Sequence, residues 1–154
     1  MSEKRIPEFW TTRLVRETPP PEFDRPELTS TLRGPDAVAG LFWALWGDRP
    51  NERFVAFLLD TQHKVRGVHT VTEGIVDASL VHPREVLRPA ILANSTAVIL
   101  AHNHPSGDPT PSPEDKAVTR QVMDAAKAVG AQLLDHVVVG ERGRYVSIVS
   151  AGLL

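Results

Sequence analysis

From residue 35 onward the apolar positions fall into runs with distinct periods. Val38, Leu41, Phe42 and Leu45 recur at helical spacing behind Pro35-Asp36, which predicts a helix over 35–46. Gly47-Asp48-Arg49-Pro50 stops it. The stretch 53–60, RFVAFLLD, is dense in Phe, Val and Leu and predicts a buried strand. Thr61-Gln62-His63 turns the chain, 64–72 returns as the partner strand of a hairpin, and Glu73-Gly74 begins a loop or bulge.

His82-Pro83-Arg84-Glu85-Val86 opens a second helix, with Pro83 suited to its first turn. Pro89 leaves two readings, a kinked helix or a short turn before a helix that starts near Pro89. The β-branched and apolar run 96–101, TAVILA, fits a central strand. A loop follows over 102–111, with Gly107 and three prolines. Ser112-Pro113-Glu114-Asp115 opens a long third helix to about Val129, and Gly130 suits its C-terminal cap. Strands over 133–139 and 144–149 close the chain around a turn at 140–143. The order helix, two strands, helix, strand, helix, two strands predicts a mixed α/β (α+β) domain over 35–154, with helices covering one sheet.

Residues 1–34 show no such period. Their charges are mixed and they carry the run Pro19-Pro20-Pro21, so they read as an extended, proline-rich arm of polyproline character. Phe9, Trp10 and Phe23 are large apolar groups for an arm, and are expected to pack on the body of this chain or of a neighbour.

Composition narrows the function classes. A chain of 154 residues fits one domain able to bury a core without staples. It holds no cysteine, which excludes disulfides, thiolate nucleophiles and Cys-based metal sites. Any metal must therefore be held by His, Asp or Glu. The net charge of -2 and the lack of a basic stripe give DNA binding no support. The apolar run over 37–46 is too short to span a bilayer, and MSEKRIPEFW has no apolar signal region. A cytoplasmic protein without a membrane partner is the expectation.

The chemistry concentrates in 101–115, AHNHPSGDPTPSPED. Residues two apart on a strand project to one side, so His102 and His104 can reach one ion while Asn103 points away. Asp115 can join them if the loop folds back. Two imidazoles and a carboxylate suit zinc and leave a fourth position open for water, the pattern of a catalytic site. A plainer reading stands beside this one. His-x-His is common by chance, and Ser112 with Asp115 forms a capping pair for the third helix. A cap can also hold a ligand in place, so the two readings are compatible.

His102, His104, Ser112 and Asp115 together spell His-x-His, seven residues, Ser, two residues, Asp. This pattern resembles the signature of the JAB1/MPN-plus/JAMM metalloprotease superfamily. Pro83-Arg84-Glu85-Val86, AHNHPSG over 101–107, and Leu134-Asp135-His136 followed by valines are similar to its RadC-type branch. The likeness covers roughly 35–154. Longer RadC proteins carry an N-terminal helix-hairpin-helix-like region, for which this chain lacks room. The resemblance implies a JAB/MPN-like, cytidine-deaminase-like fold with a central mixed sheet flanked by helices. It implies Zn2+ held by His102, His104 and Asp115, with Ser112 stabilising the oxyanion. It also implies an upstream glutamate as general base to a metal-bound water; Glu52 holds that place, and Glu73 is its rival.

The implied function is a zinc-dependent hydrolase of peptide or isopeptide bonds acting on a protein or peptide substrate. Two other classes stay open. One is a non-enzymatic scaffold module; the other is a DNA-repair-associated protein acting through partner or DNA binding. A dimer is conceivable. Among the remaining histidines, His63 reads as solvated, His69 has no legible partner, His82 can cap a helix, and His136 fits a structural hydrogen bond. Asp135 and His136 are neighbours on a strand, which argues against a direct dyad. Arg84 is either solvent-exposed or near the pocket, where it can bind a carboxylate or phosphate.

Overall fold

The strand period of two decides how the sheet is packed. In a computed structural model, which describes residues 31–48, 50–74 and 81–154, strand β1 (Glu52–Leu59) sends Val55, Phe57 and Leu59 to one face and Phe54, Ala56 and Leu58 to the other. Helix α1 (Pro35–Trp46) covers the first face with Val38, Leu41 and Phe42. Helices α2 (Pro83–Leu92) and α3 (Pro113–Ala128) cover the second with Val86, Ala90, Val118 and Val122. The mixed sheet runs β2-β1-β3-β4-β5, where β2 is Val65–Gly74, β3 Ala97–Asn103, β4 Gln132–Val139 and β5 Tyr145–Ser147. Only β3 and β4 are parallel, joined by the crossover through α3. A mixed sheet flanked by helices is the architecture expected from the sequence.

Most of the predicted arm lies outside the described residues, as do Phe9, Trp10, Phe23 and the segment 75–80. Of its last residues, Thr31 bridges Lys64 and Leu32 is buried in the α1-side core. Two local expectations need correction, and one of the two readings of Pro89 drops out. Glu73-Gly74 is no loop: it extends β2, with Glu73 opposite Arg53 and Gly74 opposite Glu52. The central strand β3 runs on through His102 and Asn103, because pairing with β4 continues to Asn103 opposite Val139. The helix does not begin at Pro89 but runs through it, from Pro83 to Leu92. Proline at 89 cannot donate to the Glu85 carbonyl four residues back. His69 on β2 makes a hydrogen bond to the Glu85 backbone, giving that freed group a partner. Among the described residues no helix is long and apolar enough to cross a membrane.

Candidate metal centre

The antiparallel register of β1 with β3 sets the first half of the site. Phe54 lies opposite His102. Glu52 and His104 lie two places beyond that last pair, and each offers a ligand atom within 4.8 Å of the other's. Both pairs lie on the face of Phe54, because strand positions two apart share a side. The Phe54 ring stacks on His102 at 5.3 Å and 10°, fixing one flank of the imidazole. Glu73 pairs with Arg53 instead, one residue out of phase with Glu52, and its carboxylate is taken by the Arg53 guanidinium. The two glutamates considered from sequence are therefore separated by the pleat.

The start of α3 supplies the second half. Ser112 Oγ accepts from the Asp115 amide at 3.1 Å, and Asp115 Oδ2 accepts from the Ser112 amide at 2.8 Å. This is the reciprocal capping box foreseen in the sequence. It does not compete with a ligand role. The box fixes the Asp115 rotamer so that Oδ1 lies 3.2 Å from His102 Nε2 and Oδ2 lies 3.3 Å from His104 Nε2. The two Nε2 atoms are 3.0 Å apart. Glu52, His102 and His104 each offer a ligand atom within 4.8 Å of the others'.

These separations test the fit of a metal. Tetrahedral zinc with bonds of about 2.0–2.1 Å spaces its ligand atoms about 3.4 Å apart. Asp115 stands at nearly that distance from both rings. His104 Nδ1 lies 2.9 Å from the Asp108 carbonyl, which can only accept. His104 therefore donates from Nδ1, and in its neutral form it turns a bare Nε2 toward the cluster. A lone pair and a buried carboxylate converge with His102 Nε2 on a space where one cation satisfies them together. The donor set fits a divalent ion.

The electrostatics agree. Burial acts to raise the Asp115 carboxyl, but its hydrogen bonds with His102 and His104 outweigh this and hold it well below the usual carboxylate range. The same bond to Asp115 lifts the His104 imidazole above its ordinary value, against the effect of burial. Burial raises the Glu52 carboxyl, with the two histidines pulling the other way. His136, fully buried, is pushed well below the ordinary imidazole value by desolvation, so its ring is neutral.

The loop between His104 and Ser112 is held against the end of β4. His104 donates its amide to the Val139 carbonyl at 2.9 Å, and Glu141 donates to the Gly107 carbonyl at 2.9 Å. Gly140 lies under that loop: a Cβ there would sit 2.3 Å from the Gly107 oxygen and 2.8 Å from Pro109 Cδ. Backbone cannot yield as a side chain can. Gly140→Ala is expected to cost about 1–3 kcal/mol of stability as an overpacking change, read by urea denaturation. The strain falls on the loop that carries Asp108, the partner of His104.

Asn103 serves the site from the other side of the strand. Asn103 does point away from the histidines, yet it accepts the Arg53 amide at 2.8 Å and donates to the Asn51 carbonyl at 3.1 Å. It pins the backbone on both sides of Glu52. Its place between two histidines was the only local signal, and the partner strand could not be read from that. Asp135 makes no dyad with the His136 ring. Its carboxylate accepts from the Ser147 hydroxyl and from the His136 and Val149 amides. His63 is exposed in its turn, and His82 is the N-cap residue of α2 without a side-chain cap bond. Arg84 is exposed, 3.5 Å from Glu85.

The chain is similar to known proteins. The RadC-like JAB domain family model matches residues 32–153. A UPF0758 protein of Geobacter sulfurreducens is 45% identical over 120 residues, 78% of this chain and 52% of the relative. Another, from Symbiobacterium thermophilum, is 52% identical over 103 residues, 67% of this chain and 44% of the relative. A third, from Methanosarcina acetivorans, is 41% identical over 120 residues, 78% of this chain and 52% of the relative. The chain spans about half the length of the curated relatives it matches. Their names state no activity.

Proposed function

This chain belongs to the RadC-like JAB domain family, and from its cluster of ligating side chains we propose that it is a zinc-dependent hydrolase of peptide or isopeptide bonds. One observation carries the reading: a carboxylate and two imidazoles meet at 3.0–3.3 Å, with a half-buried glutamate beside them. His102, His104 and Asp115 would hold the ion. Zinc bound there would supply Lewis acidity, polarising a carbonyl and lowering the pKa of water to about 7.

The residues divide the remaining work. Glu52 takes a proton from water at its carboxylate and delivers it to the leaving amine. Its raised pKa suits both transfers. Ser112 receives the Asp115 amide on its oxygen, which leaves its hydroxyl proton free for a developing oxyanion. Asp115, held well below the usual carboxylate range, stays ionised and would compensate the charge of a bound cation.

The test is metal analysis of the purified protein beside His104→Ala, followed by hydrolysis assays on peptide and isopeptide-linked substrates. Wild type is expected to hold one zinc per chain and the variant none. Equal zinc in both would end the site assignment. Tight zinc binding without cleavage of any substrate would favour a binding module, and a salt-dependent shift with DNA fragments would favour phosphate recognition.

A further inference from the structure

Behind His102, on the side away from the cluster, a hydrogen-bonded circuit runs through three elements. His102 Nδ1 lies 2.8 Å from His136 Nε2 on β4. His136 Nδ1 lies 2.7 Å from Thr119 Oγ1 on α3. Thr119 Oγ1 donates to the Asp115 backbone carbonyl at 2.5 Å. All four residues are buried.

The direction of every bond follows from one proton. A carbonyl only accepts, so the single hydroxyl proton of Thr119 is committed to Asp115. Thr119 can then only accept from His136, which must carry its proton on Nδ1. A neutral His136 has a bare Nε2, and that atom must accept from His102 Nδ1. A neutral His102 is thereby left with a bare Nε2 facing Asp115 and His104. We propose that Thr119 and His136 are positioning residues whose hydrogen-bond relay locks His102 in the Nδ1–H tautomer and so keeps its Nε2 lone pair aimed at the metal.

The circuit closes on itself. It leaves the Asp115 carbonyl, passes through Thr119, His136 and His102, and ends at His102 Nε2, 3.2 Å from the Asp115 carboxylate. Its closure explains why a neutral imidazole and a threonine hydroxyl are buried at the centre of the fold, where apolar side chains would pack without desolvation cost. Partners of this kind set the orientation and basicity of a ligating imidazole. The role in metal binding rests on the zinc reading above; the tautomer does not.

Thr119→Val removes the hydroxyl at nearly constant shape, and Thr119→Ser restores it. Zinc affinity is expected to fall about 10–100-fold in the valine variant and to return close to wild type in the serine variant. Two-bond proton–nitrogen NMR correlations on the metal-free and zinc-loaded protein are expected to show His102 and His136 protonated at Nδ1. The valine variant should lose that pattern, whereas a purely structural threonine would alter melting alone. Unchanged zinc affinity in Thr119→Val, or a proton on His136 Nε2 in wild type, overturns the relay. If wild type binds no zinc that His104→Ala removes, the hydrolase reading fails, and the metal-free spectrum still decides the tautomer.

Discussion

Replacing Glu52 by glutamine is expected to leave zinc in place and to lower hydrolysis by about 10²–10⁴-fold, the usual contribution of a positioned general base. Glutamine keeps the volume and the reach of the side chain but cannot take up a proton at neutral pH. The geometry says why the metal should stay. Asp115 sits at ligand spacing from both imidazoles, so three protein groups are available without Glu52. Glu73→Gln is the matched control. Its carboxylate is engaged by Arg53 on the neighbouring strand, out of phase with the site. Turnover and zinc content measured together separate the possibilities. Loss of zinc in Glu52→Gln would make Glu52 a ligand, while full turnover there with inactivity in Glu73→Gln would exchange the two glutamates.

The contrast between these glutamates shows what local sequence can and cannot convey. Both flank apolar runs and both lie near a strand end, so period and composition rank them equally. What separates them is the register of three strands, since β1 pairs with β2 on one edge and with β3 on the other. Register arises from the packing of whole faces, and no single segment contains it. His-x-His, Ser and Asp were legible because one short segment, 102–115, carries them and its capping box is a local device. The hidden parts come from distant segments. His136 meets His102 only because the α3 crossover lays β4 parallel to β3. Asn103 meets Asn51 and Arg53 only because β1 lies on the other side.

The same distinction explains the element boundaries. Strand β3 looked finished at Ala101 because polar residues follow, yet its backbone stays paired on both sides as far as His102. A strand's end is set by its neighbours' hydrogen bonds, and polar side chains at a central strand end are tolerated when they have partners. His102 has three such neighbours, in His136, His104 and Asp115. The proline in α2 was a conflict for sequence reasoning alone. It ceases to be one when His69 arrives from β2 with a bond to the Glu85 backbone.

Stripping the metal is expected to lower the melting temperature of wild type by about 8–16 °C, compared with protein at free zinc a thousandfold above the dissociation constant. Binding under that condition stabilises the fold by about 4 kcal/mol, and a domain of this size shifts about 2–4 °C per kcal/mol. Asp115→Asn should abolish this difference. Asparagine retains an oxygen for the Ser112 amide, so the cap survives, but it supplies no charge to balance a divalent ion. Without metal, the Asp115 carboxylate still accepts the Ser112 amide, and that cap bond is what the asparagine weakens. The metal-free variant should therefore melt within about 1 kcal/mol-equivalent of metal-free wild type, the cost of a weakened cap, and should ignore chelator. Thermal scans with and without chelator on both proteins check this. A wild-type transition indifferent to chelator would mean that the convergence of His102, His104 and Asp115 serves the helix start alone.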